Sequence, residues 1–247
     1  DYSFDSRRCM EELEAPEETG REAAKRTVRR LGARKIGTER MPVILAPEVA
    51  RGFIGHLIGA ISGPALYRNA SFLKDAAGKQ LFPDWVTVSE RPQLVRGQGS
   101  ACFDGDGVAT RARNIIEGGV LTGYVLSAYS ARRLGLETTA NAGGVRNVLL
   151  EPGGENPAQP LRHVRRGLLV TEVMGQGVRL VTGDYSRGAS GFIIEDGVLV
   201  HPVEEVTIAS NLADMFAGLR TAGDDVDTRG NIQSGTVVID EMTVAGQ

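Results

Sequence analysis

Histidine, cysteine and aromatic side chains are all scarce in this chain: three His, two Cys and 5% aromatics among 247 residues. Each scarcity removes a class of function. Cys9 and Cys102 stand too far apart in sequence for a disulfide framework or a zinc ribbon. A chain so poor in cysteine suits a reducing compartment, which points to the cytoplasm. His56, His163 and His201 have no second histidine at i+3, i+4 or i+5, so no spacing gathers the three or four ligands that a zinc ion takes. His201, just before Pro202, reads as a surface residue at a strand end, and His56 as a packed or capped histidine. With so few aromatics, a composition that is 41% hydrophobic must build its core from Val, Leu, Ile and Ala. No apolar run reaches the ~18 residues of a membrane helix; the longest candidate, Phe53–Ile61, is broken by glycines and His56. The net charge of −3 and the pI of 5.7 offer no basic field for direct nucleic-acid binding. The basic cluster at 21–34 is interleaved with acids and reads as a solvated helix face. Neither an initiator Met nor a signal peptide is present, and the polar opening reads as part of something longer.

What is present reads as α+β, with mostly antiparallel strands and a few helices. Residues 1–18 form a polar segment, extended or disordered, within which Pro16 is placed to open a helix with Glu17 and Glu18 in its first turn. Ala24, Val28 and Leu31 give that helix an apolar stripe, and Gly32 stops it. Val43–Ala46 reads as a strand leading into a second helix at Pro47, with Val49, Phe53, Leu57 and Ile61 on one face. Residues 62–106 read mostly as loop, with a strand at Trp85–Val88. Strands are expected at Val108–Arg113 and Val120–Ser127 around the turn at Gly118-Gly119, a short helix at Tyr129–Leu134 and a strand at Val145–Leu150. The segment 152–160 (PGGENPAQP) is the best linker. It divides a first half, 19–151, from a strand-rich second half, 161–247, expected to pack together as one unit. In the second half Asp196-Gly197 between apolar runs is a strong hairpin signal. Strands are expected at Val203–Ile208 and Thr236–Val244, and a helix at Leu212–Leu219.

The chemistry-bearing motifs are mainly negative. Gly188-Ala189-Ser190-Gly191 is not the Gly-x-Ser-x-Gly nucleophile elbow. Gly175-Gln176-Gly177 lacks the third glycine, the following helix and the lysine of a phosphate loop, and reads as a tight turn. The glycines at 183, 188 and 191 lie in or beside a strand. Such glycines mark either bulges or a strand edge that accepts another peptide.

Five blocks carry a family likeness: Val43–Gly63, Gly105–Arg111, Gly123–Gly143, Gly183–Phe192 (GDYSRGASGF) and Asn231–Gly246 (NIQSGTVVIDEMTVAG). Together they resemble the C-terminal portion of the TldD/PmbA family, also called modulator of DNA gyrase, on its PmbA/TldE branch. The resemblance implies the family's α+β fold. In the TldD branch, a strand leads into a helix bearing His-Glu-x-x-x-His, whose histidines bind metal while the glutamate can act as base on a metal-bound water. Aligned here, that motif falls on Pro47-Glu48-Val49-Ala50-Arg51-Gly52, where only Glu48 matches and Pro47 and Gly52 replace the histidines. The branch's third ligand, a cysteine, falls near Gln233 and Ser234. The resemblance therefore implies a non-catalytic subunit with no metal or other cofactor of its own. Zinc is expected in a TldD-type catalytic partner, a peptide is bound as an extended strand, and a homodimer forms when the partner is absent. Implied roles include maturation of a gyrase-targeting peptide and antitoxin degradation. Two alternatives stand beside it: a peptidase active on its own through Glu48, His56, His163 and a late carboxylate, or a regulatory module that binds gyrase or another client. The residues expected to line the contact or substrate region are Glu48, Arg51 and His56 on the helix, and Tyr185, Ser186, Arg187 and Gly188 on the glycine-rich strand.

Overall fold

The computed structural model describes residues 1–246. In chain order the helices are α1 (Pro16–Arg29), α2 (Pro47–Ala60), α3 (Gly63–Tyr67), α4 (Ala128–Leu134) and α5 (Leu212–Ala217). The strands are β1 (Glu39–Leu45), β2 (Val88–Glu90), β3 (Arg113–Glu117), β4 (Val120–Leu121), β5 (Val148–Leu150), β6 (Gly153–Gly154), β7 (Arg166–Met174), β8 (Val178–Arg179), β9 (Asp184–Glu195), β10 (Val198–Asn211), β11 (Leu219–Ala222), β12 (Ile232–Gln233) and β13 (Val237–Ala245). The larger sheet runs β1-β7-β9-β10-β13-β11-β6, and a further pairing of β1 with β13 closes β1, β7, β9, β10 and β13 into a ring. All of these ring pairings are antiparallel except β1 with β7. The smaller sheet runs β12-β5-β2-β3-β4. The fold is α+β and mainly antiparallel, as the sequence implies.

The alternation of side-chain direction along a strand explains how β1 sits. Met41, Val43 and Leu45 point into the main core, whereas Ile44 points to the opposite face, where it packs with Val164, Ile194 and Val238. Both faces are buried, so the strand reads as a continuous apolar run rather than an alternating one. α2 follows at once, with Pro47 at its first position. It buries Val49, Ala50, Phe53, Ile54, Leu57 and Ala60 in a core shared with both sheets. Phe216 of α5 anchors that core, with ring centroids 4.7 Å from Phe82 and 5.1 Å from Phe53.

Several local expectations change. Residues 1–15 carry a 3₁₀ turn at Met10–Glu12, with extended backbone at Cys9 and Leu13 on either side of it, and the Phe4 carbonyl accepts a 3.1 Å hydrogen bond from Arg229. The α1 stripe does not face the core. The helix buries no residue, and Val28 and Leu31 are 65% and 71% exposed. The strand expected at Val108–Arg113 begins instead at Arg113, because the Asp104 carboxylate accepts from the Asp106 and Val108 amides, each at 2.9 Å, and curls residues 104–108 into a loop. Strand β4 stops at Leu121; beyond it the Val125 amide bonds the Ile61 carbonyl and the Leu126 amide the Thr139 hydroxyl. The linker candidate contributes β6, which pairs with β11 in the larger sheet. His201 lies within β10 rather than at a strand end.

The hairpin at Asp196-Gly197 forms between β9 and β10, with φ of 47° and 78° at its two turn residues. Positive φ at both is what a type I′ turn needs. β9 is paired with β7 on one side and β10 on the other from Gly188 to Glu195, so its glycines do not form an edge open to another peptide. Gly191 answers a steric demand instead. It sits opposite a bulge in β7 between Val170 and Glu172, and a Cβ there would overlap the Leu169 carbonyl oxygen. A Cβ at Gly188 would meet only Met174, at 3.6 Å. Gly191→Ala is therefore expected to cost about 1–3 kcal/mol by overpacking, and Gly188→Ala less than about 0.5 kcal/mol. Urea denaturation of the two variants checks the contrast; equal costs would contradict the steric account.

Candidate functional site

Where β1 hands over to α2, the chain leaves the ring and β7 loses its neighbour. The pairing of β1 with β7 covers Val43–Leu45 against Leu168–Val170, and the Ala46 amide caps it on the Val170 carbonyl. Residues 171–174 of β7 run on past that point. A cavity of about 420 Å³ opens there, walled by α2, by Thr171, Glu172 and Val173 of β7, by Arg187 and Phe192 of β9, and by α1. From α2 it receives Glu48, Gly52 and His56, spaced at i, i+4 and i+8 and so stacked along one face.

Most polar groups here have a named partner. Glu48, in the first turn of α2, suits the positive end of the helix. Arg26 donates to it at 2.9 Å and to Glu22 at 3.2 Å. Arg30 reaches Glu172 at 2.7 Å, Asp1 at 3.2 Å and the Ser190 hydroxyl at 2.9 Å. The basic face of α1 is thus docked through Arg26 and Arg30 rather than solvated. Arg187 donates to the Met174 carbonyl at 3.0 Å. His56 lies edge-on to Tyr185, with ring centroids 5.9 Å apart. Burial, reinforced by the positive charge of Arg187, holds the His56 pKa below its ordinary value, so the imidazole is neutral near pH 7. Burial pushes the Tyr185 phenol up, against the pull of Arg187.

Of the residues expected from sequence, Glu48, His56 and Arg187 meet in this cavity, and Tyr185 backs His56 from beneath while only 3% exposed. Arg51 turns away: its guanidinium lies 3.6 Å from Asp227 and over the Phe4 ring. Ser186 is engaged at β8, where its amide donates to the Gly177 carbonyl at 2.7 Å. Gly188 faces Met174, and Ser234 is fully buried, donating to the Gly235 carbonyl. Pro47 and Ser234 do not line the cavity. His163 lines a different cavity, with Arg165, Arg166 and Arg220, so the structure does not bring it to Glu48 and His56. Sequence reasoning missed Arg26, Arg29, Arg30, Glu172 and Phe192. The i, i+3, i+4 spacing of Arg26, Arg29 and the cap residue Arg30 at the end of α1 was the available signal.

The donor set does not fit a catalytic zinc. The cavity face of α2 offers one carboxylate, already engaged by Arg26, and one imidazole, where such a site takes three protein ligands. Among the described residues no group of three or more His, Cys, Asp or Glu is placed to hold a metal ion. No helix among them is long and apolar enough to cross a membrane.

Residues 38–246 match the family model described as the PmbA/TldA metallopeptidase C-terminal domain, and the chain belongs to that family. It is 49% identical over its whole length to "Metalloprotease PmbA" of Escherichia coli O157:H7, and 46% identical to a PmbA homologue of Haemophilus influenzae. It spans 55% of the length of each of those relatives. Among solved structures it superposes on a candidate DNA-gyrase modulator from Bacteroides thetaiotaomicron with a TM-score of 0.90 at 29% identity, covering 96% of this chain and 54% of that one. Superposition on TldE from Thermococcus kodakarensis gives a TM-score of 0.80 at 23% identity, covering 93% of this chain and 55% of that one, which shows the shared fold.

The neutral His56 carries a pH consequence. Unfolding frees it to protonate near its ordinary pKa of ~6.5, whereas the folded state resists protonation until lower pH. The unfolded chain therefore binds more protons in that window, and stability falls as pH drops from 6.5 toward the folded-state value. Melting temperatures measured from pH 7.5 to 5.5 should fall less steeply in His56→Asn than in the wild type. Parallel curves would show that His56 titrates freely.

Proposed function

We propose that this chain is part of a non-catalytic, PmbA/TldE-type subunit of a heteromeric metallopeptidase that acts on peptides. One observation carries the reading: where the TldD-type helix bears its two histidines, α2 has Pro47 and Gly52. Proline has no side-chain donor and glycine no side chain. Glu48, the position that would serve as base, is neutralised by Arg26 instead. On this reading zinc belongs to a TldD-type partner, and the assembly works in the cytoplasm on peptidic clients, including factors directed at DNA gyrase. Without the partner the subunit pairs with itself. The peptide lies as an extended strand along the end of β7, where Thr171–Met174 continue past β1. Strand addition at such an edge gives main-chain affinity and leaves specificity to the side chains around it.

A second reading, a peptidase active on its own, is favoured by the name metalloprotease that the relatives carry. One experiment separates the two. The full-length protein is assayed for peptide cleavage alone, with a TldD-type subunit, and with that mixture after chelation. The proposal expects no turnover alone, turnover in the mixture and its loss on chelation. Chelator-sensitive cleavage by the protein alone, with about one zinc per chain by elemental mass spectrometry, would overturn it.

A further inference from the structure

The cavity at the end of β7 has an uneven distribution of charge partners. Its carboxylates are all engaged: Glu22 and Glu48 with Arg26, Asp1 and Glu172 with Arg30. Its two other arginines, Arg29 and Arg187, have no carboxylate within ion-pair distance among the described residues. Arg29 instead stacks over the Phe192 ring, 5.1 Å from its centroid. Arg187 donates through Nε to the Met174 carbonyl at 3.0 Å and through Nη2 to the Val173 carbonyl at 3.5 Å, which leaves Nη1 and the second Nη2 hydrogen as its available donors. Four arginines against four acids leave no net field across the cavity. Any preference for an anion therefore comes from these two open guanidinium groups and not from long-range attraction.

Their placement follows the pleat of the sheet. Side chains alternate along β9, so Arg187 shares a face with Tyr185 and Ala189, whereas Phe192, and Arg29 above it, belong to the opposite face. The cavity wraps round the free end of β7 and touches both faces. A strand added there would send successive side chains alternately to the Arg187 side, beside His56, and to the Arg29 side, beside Phe192. The volume of about 420 Å³ lies within the ~300–1,000 Å³ range of ligand clefts.

We propose that this cavity selects an acidic peptide, its carboxylates taken by Arg187 on one face of the added strand and by Arg29 on the other. The inference rests on the strand-addition reading above and adds the chemistry of the peptide. The carboxylates come either from Asp and Glu side chains or from the peptide's C-terminus; both offer the planar pair of oxygens that a guanidinium grips in bidentate fashion.

The test is fluorescence anisotropy on the full-length protein with three labelled hexapeptides: one capped and alternating Glu with Ala, its capped Gln counterpart, and that Gln peptide with a free C-terminus. The expected result is binding of the Glu peptide, the free-acid peptide or both at least roughly tenfold tighter than the capped Gln peptide, the gain of one charge-assisted contact. Which of the two gains identifies the source of the carboxylate. Arg29→Gln and Arg187→Gln should each reduce that gain, and the double variant should abolish it. Arg21→Gln, on the exposed side of α1, should change nothing, and circular dichroism melts show whether each variant is folded. Equal binding of all three peptides would overturn the charge selection and leave the strand-addition reading standing. Absence of binding by all three would overturn both.

Discussion

β1 is hydrogen-bonded along both edges, to β13 over Glu39–Leu45 and to β7 over Val43–Leu45. Its partners lie more than a hundred residues away in sequence, so the ring closes only through contacts distant along the chain. A closed ring leaves those strands no free edge where they pair, which removes the template that an open sheet offers to other chains. Closure also fixes where α2 starts. The helix follows β1 after a single residue, Ala46, so the direction and rotation of its first turn are set by the last pair of the strand. That rotation puts Glu48, Gly52 and His56 toward the gap and Val49, Phe53 and Leu57 toward the core. The cavity exists because β1 ends four residues before β7 does.

The electrostatics of that gap are local. Ion pairs at the surface contribute little each, and those of α1 are partly exposed. Their significance lies in which groups they occupy. Arg26 holds Glu48 in an ion pair, so that carboxylate is not free in the cavity. By engaging Glu172, Arg30 removes the acid that would otherwise repel an incoming carboxylate at β7. Burial of His56 beside Arg187 removes a third charge, leaving a neutral imidazole between two arginine-lined walls.

Much of the chain was legible because its determinants are near one another. Pro47 with an apolar stripe one turn apart specifies α2. The Asp196-Gly197 turn needs only the φ preferences of its own two residues. What failed depends on remote partners. The stripe of Ala24, Val28 and Leu31 was outweighed by arginines whose partners Glu48 and Glu172 lie on other elements. The start of β3 was displaced by the carboxylate of Asp104, a residue with no strong signal of its own. Gly191 of β9 admitted two explanations until the bulge in β7 showed which backbone it makes room for. Arg29 and Phe192 are far apart in sequence, and only the fold brings them together over the cavity.

The exposed stripe on α1 has one more consequence. The ring is held by buried apolar side chains and a continuous ladder of hydrogen bonds, whereas α1 buries no residue and is held largely by charge. Burial strengthens in excluded salts such as sulfate, while ion pairs weaken as ionic strength rises. The two parts of the molecule thus answer to the same solvent with opposite signs. A rise in ionic strength therefore weakens the hold on the α1 wall of the cavity while the ring strands keep their buried contacts.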